Sequence, residues 1–203
     1  MEEYEYSIRV SDIQPFIEYC KNKGYTKISE NKQNRAVYEH RDNRHILARI
    51  TKTETNGKVV TIFDCKNSSP EIDGLKIAKE SKELELDDKT EDIIKSMINV
   101  LNFEQSADNY RIRYVYKLNN VKFEIDDYIK PQFKVVAIEG EKHQVDKTYQ
   151  EVINDSTLTK YIIKRILKNV IKNTSKLKCF FNQTLDQLPQ HYHFFQILLY
   201  CQH

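Results

Sequence analysis

Two segments of this 203-residue chain alternate charged or small polar residues with apolar or aromatic ones at a strict period of two. The first is Glu3-Tyr4-Glu5-Tyr6-Ser7-Ile8-Arg9-Val10; the second is Arg111-Ile112-Arg113-Tyr114-Val115-Tyr116-Lys117. Successive side chains of a β-strand point to opposite faces, so each segment predicts a strand with one polar and one apolar face. One strand then carries paired carboxylates and the other paired guanidiniums. Hard divalent cations take carboxylate oxygens, and guanidinium meets phosphate with planar paired donors. The chain thus holds both halves of a site for a metal and a polyphosphate.

The pattern recurs downstream. Asn119-Asn120 separates two alternating runs and suits a two-residue hairpin turn. That turn sets Leu118 opposite Val121, Lys117 opposite Lys122 and Arg113 opposite Asp126. One face of the hairpin then carries Arg111, Arg113, Lys117, Lys122, Glu124 and Asp126. Taken alone, such a hairpin is satisfied by a sheet with one face in water and weak cross-strand ion pairs. The segment near Lys79 repeats the arrangement, with Ser81, Glu83 and Glu85 on one side and Leu84 and Leu86 on the other, while Glu80, Lys82 and Asp127 fall on the opposite, solvated face.

Several strands with a charged face, together with helices bearing apolar stripes, predict an α+β fold built on a closed antiparallel barrel. The charged face turns inward and helices cover the outside, the reverse of a small barrel with an apolar interior. Charges facing one another across a narrow lumen are costly unless answered, and a divalent cation with an anionic ligand would answer them.

Further strands are expected at Ala36–Glu39, Ile46–Lys52, Lys58–Lys66, Ile77–Leu86 and Phe133–Glu139, with Thr55-Asn56-Gly57 a hairpin turn. Helices are expected from Ile13 to Lys23 (capped by Ser11-Asp12, ended by Gly24), from Asp87 to Val100, and from Lys147 to Lys178. The last carries a Leu158, Ile162, Ile166, Leu167, Ile171 stripe and a basic row of Lys160, Lys164, Lys168 and Lys172. Residues 1–178 thus form one domain, and 179–203 are a tail without paired metal-ligand spacing despite its histidines.

A net charge of +2 gives no global electrostatic case for nucleic acid or membrane. The longest apolar-rich stretch, His193 to Cys201, is too short to span a bilayer. The four cysteines form no CxxC pair, and the N-terminus opens with acids instead of a basic and then apolar leader. A soluble, cytoplasmic protein is expected, its oligomeric state open, a homodimer included.

Glu3-x-Glu5, Leu47-Ala48-Arg49-Ile50, Lys66 after a β-run, Glu83-x-Glu85, Arg111-x-Arg113, Ile125-Asp126-Asp127 and Ile138-Glu139-Gly140-Glu141 follow one another in an order that resembles the CYTH superfamily, the triphosphate tunnel metalloenzymes. The resemblance spans roughly residues 1–145 and implies an eight-stranded antiparallel barrel tunnel. It implies Mg²⁺ or Mn²⁺ held by Glu3 and Glu5 with Glu139 and Asp126, Glu83 and Glu85 being further carboxylate candidates. It implies phosphate contacts from Arg49, Lys66, Arg111 and Arg113, with Arg9 and Lys122 added on the same face. The superfamily includes triphosphatases and class IV adenylyl cyclases, so the implied partner is a triphosphate-bearing small molecule or an RNA 5′ end.

Three positions depart from the pattern: Ser7 stands where the opening motif has lysine, Thr51 where a second arginine commonly follows the first, and Ala137 where the late strand offers another glutamate. Each removes a phosphate contact or a metal ligand. Three functions are therefore open: metal-dependent triphosphate hydrolysis, with Glu3, Glu5 and Glu139 at the chemistry; cyclic AMP formation from ATP; and binding of a nucleotide or polyphosphate without turnover.

Overall fold

A computed structural model of the protein describes residues 2–69 and 74–163. In chain order the elements are β1 (Glu2–Val10), α1 (Gln14–Asn22), β2 (Thr26–His40), β3 (Asn43–Thr55), β4 (Lys58–Ser68), β5 (Leu75–Glu80), β6 (Leu84–Leu86), α2 (Asp88–Val100), β7 (Phe103–Leu118), β8 (Val121–Lys130), β9 (Phe133–Gly140), α3 (Lys142–Asn154) and α4 (Ser156–Thr159). The strands run in the order β3-β2-β7-β8-β9-β1-β5-β4, and β3 also pairs with β4, which closes an eight-stranded antiparallel barrel; β6 is a ninth, external strand on β4. The ladders differ in length. Ten residue pairs join β3 to β4, whereas the β4–β5 ladder consists of three, Lys66 to Ser68 against Glu80 to Ala78.

Local chemistry sets the hairpins. Asn56 and Gly57 both adopt positive φ (51° and 79°), the backbone that a tight β3–β4 turn requires. Asn119 does the same at φ 51°, and the β7–β8 register places Arg113 opposite Asp126, Lys117 opposite Lys122 and Leu118 opposite Val121, as the alternation predicts. Asp87 and Thr90 exchange side-chain-to-backbone hydrogen bonds of 2.8 and 2.9 Å that cap α2. At α1 the cap is Ile13 and not the Ser11-Asp12 pair; Asp12 instead accepts the amide of Gln14 (3.1 Å).

The apolar faces point outward and form two cores. Ile8, Val10, Tyr116, Phe123, Ile125, Val136 and Ile138 pack beneath α1, α3 and α4, meeting Phe16, Ile17, Val145, Val152 and Leu158. On another wall, Ala48 and Ile50 meet Leu86 of β6 and Ile98 of α2. Tyr6 stacks on Tyr149 of α3 with ring centroids 3.9 Å apart, and its hydroxyl donates to Asp146 at 3.0 Å.

Three expectations are corrected. The Ile77–Leu86 strand is two strands, broken at 81–83, where the Ser81 amide donates to Cys65 O (2.8 Å) and its hydroxyl accepts from the Cys65 amide (2.9 Å). The late helix begins earlier and ends at Asn154, because the Asp155 side chain accepts the Thr157 amide (2.8 Å) and starts a separate turn. Ile162, placed on the helical stripe by its spacing, instead forms a β-bridge with Val10. The rest of that helix, its basic row beyond Lys160, the boundary at 178 and the tail lie outside the described residues. Among the described residues no helix is long and apolar enough to cross a membrane.

Gly140 ends β9 at φ 145°, and a Cβ there would sit 2.1 Å from the backbone oxygen of Asn120 in the β7–β8 turn. Gly140→Ala is expected to destabilise the fold by at least about 1–3 kcal/mol from backbone strain alone. Chemical denaturation of the two proteins side by side measures this, and equal midpoints would contradict it.

Candidate active site

The lumenal side chains lock one another into two ionic ladders. On β7, Arg111 is 1% exposed. It donates to Gln33 Oε1 of β2 at 3.0 and 2.8 Å, to Asp126 Oδ2 of β8 at 2.8 Å and to the Tyr128 hydroxyl at 2.7 Å. Two residues on, Arg113 grips both oxygens of the same Asp126 at 2.7 Å each and also pairs with Glu124. Lys122 connects Glu124 (3.1 Å) to Glu139 of β9 (2.5 Å).

The electrostatics follow from this sharing. Burial works against the charge on Arg113, but Glu124 and Asp126 outweigh it and raise its pKa. For Arg111, burial and the neighbouring Arg113 prevail over the shared Asp126, and its pKa is lowered. Burial pushes the Glu124 carboxyl up, yet Arg113 and Lys122 hold it well below the ordinary range.

A second ladder lies on the other wall. Arg49 of β3 donates to Asp64 (2.5 Å) and to Glu80 (3.1 Å), and Lys66 of β4 bridges Glu80 (3.2 Å) to Glu5 of β1 (3.0 Å). Ser7 donates to the second Glu5 oxygen at 2.5 Å. Burial raises the Glu5 carboxyl, but Lys66, Ser7 and Lys76 overcome it and leave the pKa lowered. The Glu80 carboxyl is lowered in the same way, Arg49 and Lys66 overriding burial.

Glu5 and Glu139 are direct partners in the β1–β9 register, so their carboxylates rise from adjacent strands into the lumen, each held by a lysine. Two hard-oxygen donors side by side suit Mg²⁺ or Mn²⁺, ions that complete their shells with water and substrate phosphate. Glu3 lies two residues before Glu5 in the same strand, opposite Ala78. Among the described residues no three His, Cys, Asp or Glu side chains converge as a metal cluster.

Of the other residues singled out by sequence, Arg9 is exposed and lies over the Phe133 ring, 4.9 Å from its centroid. Glu83 and Glu85 are exposed, and Glu83 borders a cavity on the β2–β3 wall, whereas Glu80, assigned to solvent by parity, points into the lumen. Parity fails there because the strand is interrupted between Glu80 and Leu84. Asp127 is on the outer face, paired with Lys134 at 3.0 Å, as expected.

Sequence reasoning missed Gln33, Arg35 and Asp64. The polar run of β2 shows no apolar alternation that would have marked it as a strand. The β2–β3 cavity, about 190 Å³, is lined by Gln33, Arg35, Thr51, Thr53, Asp64 and Arg113 among others.

The fold and its lumen define a class of protein, a closed antiparallel barrel whose interior is a charged tunnel and whose apolar faces lie outside under helices. No protein-family model matches the chain, and no curated protein matches it in sequence. Solved structures do match it. The PH1012 protein of Pyrococcus horikoshii superposes with a TM-score of 0.61 at 20% identity, over 79% of this chain and 93% of that one. A Hippeastrum protein, described as a candidate adenylyl cyclase with a dominant triphosphatase activity, matches with a TM-score of 0.56 at 12% identity, over 77% and 88%. A chain of the Schizosaccharomyces pombe Mediator head module matches with a TM-score of 0.52 at 12% identity, over 75% and 93%. The chain shares the fold of these proteins, and this agrees with the resemblance of its motifs to the CYTH superfamily. The same fold occurs in a protein described as having triphosphatase activity and in a chain of the Mediator head module, so the fold by itself assigns no function.

Asp126→Asn should leave Arg111 and Arg113 short of charge in a buried site and cost about 3–5 kcal/mol. Asp127→Asn, one residue away on the outer face, should change stability by no more than about 0.5 kcal/mol. Urea titration of both variants checks the contrast; similar losses would contradict the inward assignment of Asp126. The lowered Glu5, Glu80 and Glu124 carboxyls also predict an acid limb. Their stabilisation is fully present above the ordinary value of 4.5 and is lost as pH falls through the lower folded values. Thermal midpoints followed from neutral pH downward should stay level to about pH 4.5 and then drop.

Proposed function

We propose that this chain is a metal-dependent triphosphatase that hydrolyses a triphosphate, inorganic or carried by a nucleoside or an RNA 5′ end, inside the barrel tunnel. The observation that carries the reading is the convergence of carboxylates from β1 and β9 with cations from β3, β4 and β7 on one lumen. A guanidinium offers five donors in a fixed fork. Arg49 and Arg113 can therefore keep their carboxylate bonds and turn remaining N–H groups to phosphate oxygens, with Lys66 and Lys122 adding point charges. These cations stabilise charge on the transferring and leaving phosphates, the largest protein contribution in phosphoryl transfer.

Mg²⁺ or Mn²⁺, held by Glu3, Glu5 and Glu139, would neutralise phosphate charge and make water more acidic. In this reading Glu139, held by Lys122, takes a proton from the attacking water. Ser7 and Lys66 each donate to one oxygen of Glu5 and so hold its carboxylate in the lumen.

A second reading is favoured by the fold shared with the Hippeastrum protein, whose description joins adenylyl cyclase and triphosphatase. A class IV adenylyl cyclase would bind the same polyphosphate and differ in its nucleophile, a ribose hydroxyl replacing water. Ser7, Thr51 and Ala137 motivate the third, a nucleotide or polyphosphate binder without turnover.

Incubation with tripolyphosphate, ATP, GTP and triphosphorylated RNA, with and without Mg²⁺ or Mn²⁺, followed by chromatography of every product, separates the three. Metal-dependent orthophosphate release is the expected result, and Glu5→Ala should lower it by at least about a hundredfold, the scale on which loss of one stabilising group is felt. Cyclic AMP with pyrophosphate would identify a cyclase. Tight binding with no product would identify a binder.

A further inference from the structure

Arg35 is a lumen-facing guanidinium that makes no ion pair with a carboxylate among the described residues. Its Nε donates to Thr51 Oγ1 at 3.0 Å, across the β2–β3 register in which the two residues face each other. Its two terminal nitrogens make no hydrogen bond within the described residues, although the side chain is partly buried and lines the 190 Å³ cavity.

Of the acids that line the cavity, Asp64 and Glu124 are already engaged, and Glu83 is an exposed residue at its border. Asp64 holds Arg49, Glu124 holds Arg113 and Lys122, and Asp126 is shared by Arg111 and Arg113. The other polar groups on this wall satisfy one another, since Gln33 accepts from Arg111 and donates to Thr53 at 3.3 Å. Burial, together with the guanidiniums of Arg111, Arg113 and Arg49, drives the Arg35 pKa down, so its charge stands in a field of like sign. A guanidinium cannot escape by deprotonating in a protein. An anion entering the cavity would relieve the repulsion and take up the two spare donors as a bidentate pair.

We propose that Arg35 is a ligand-binding residue of the tunnel, its guanidinium clamping one phosphate group of the bound polyanion against the β2–β3 wall where Arg49, Arg111 and Arg113 come together. The chemical kind of ligand rests on the triphosphate reading; the anion site itself rests on the geometry of Arg35. Thr51 has a positioning part, because its hydroxyl sets the plane of the guanidinium and leaves the outer edge of the fork toward the cavity.

The test uses the full chain, its Arg35→Gln and Arg35→Lys variants, and inorganic tripolyphosphate and orthophosphate as probes. Calorimetric titration gives affinities, and thermal midpoints are taken in buffer free of oxyanions and again with each probe. Arg35→Gln should weaken tripolyphosphate binding about tenfold to a hundredfold, the value of one charge-assisted bidentate contact. Arg35→Lys should recover part of it, which a purely structural role would not produce. In oxyanion-free buffer Arg35→Gln should melt no lower than wild type, because a repulsive charge has been removed, and it should gain less from orthophosphate.

Wild-type affinity in Arg35→Gln would overturn the assignment and leave the triphosphate reading standing. A wild type that ignores tripolyphosphate but is stabilised by orthophosphate, with the effect lost in Arg35→Gln, would overturn the triphosphate reading and uphold the anion site. No response of wild type to either probe would overturn both.

Discussion

Removing a guanidinium from water costs several kcal/mol unless its charge and its donors are met, and the group has no neutral form to retreat to. Arg111 is almost completely buried, and its partners come from β2 (Gln33) and β8 (Asp126 and Tyr128). One side chain on β7 therefore couples three neighbouring strands. A slip of one residue in either ladder would turn these groups to the apolar exterior and leave Arg111 unmet. Polar contacts in the lumen thus fix the β2–β7–β8 register, while the outward hydrophobes determine where helices dock. Such networks are poor stabilisers compared with apolar packing of the same volume. With the lumen given over to such networks, the hydrophobic stabilisation lies outside the barrel, under the helices.

That division explains what the sequence disclosed. In β1, β7 and β8 the lumen is charged and the exterior is aromatic or aliphatic, so the period of two shows both faces, and the Asn119-Asn120 turn fixes the pairing down to Arg113 opposite Asp126. The barrel could be inferred because several such strands recur. β2 gave no comparable signal, since Lys32 and Asn34 interrupt any outer apolar face and Asn31, Gln33 and Arg35 face inward, leaving a uniformly polar run. Arg35 went unseen for that reason. Alternation misplaces Glu80 because the strand is interrupted at 81–83, and it runs the late helix too far because Asp155 looks like an ordinary exposed helical residue until its side chain captures the Thr157 amide. Glu5 and Glu139, 134 positions apart, were linked by resemblance; their adjacency needs the β1–β9 ladder, which no local pattern encodes.

The exterior is served unequally. Three helices cover the β1–β8–β9 wall and bury a contiguous aromatic and aliphatic layer from Phe16 to Leu158. The β3–β4 wall has α2, whose Ile98 is buried while Ile93, Met97 and Leu101 are half exposed or more. Lys52 of β3 reaches Glu91 of α2 at 2.9 Å, so part of the attachment on that side is ionic. Stability is therefore concentrated on the wall that carries Glu139 and, across its ladder, Glu5.

A cylinder under load parts where its stitching is shortest. Three residue pairs hold β4 to β5 against ten between β3 and β4, and the stitches include Lys66 with Glu80, both members of the second ionic ladder. Drawing Lys66 or Glu80 toward a guest would loosen that seam from within.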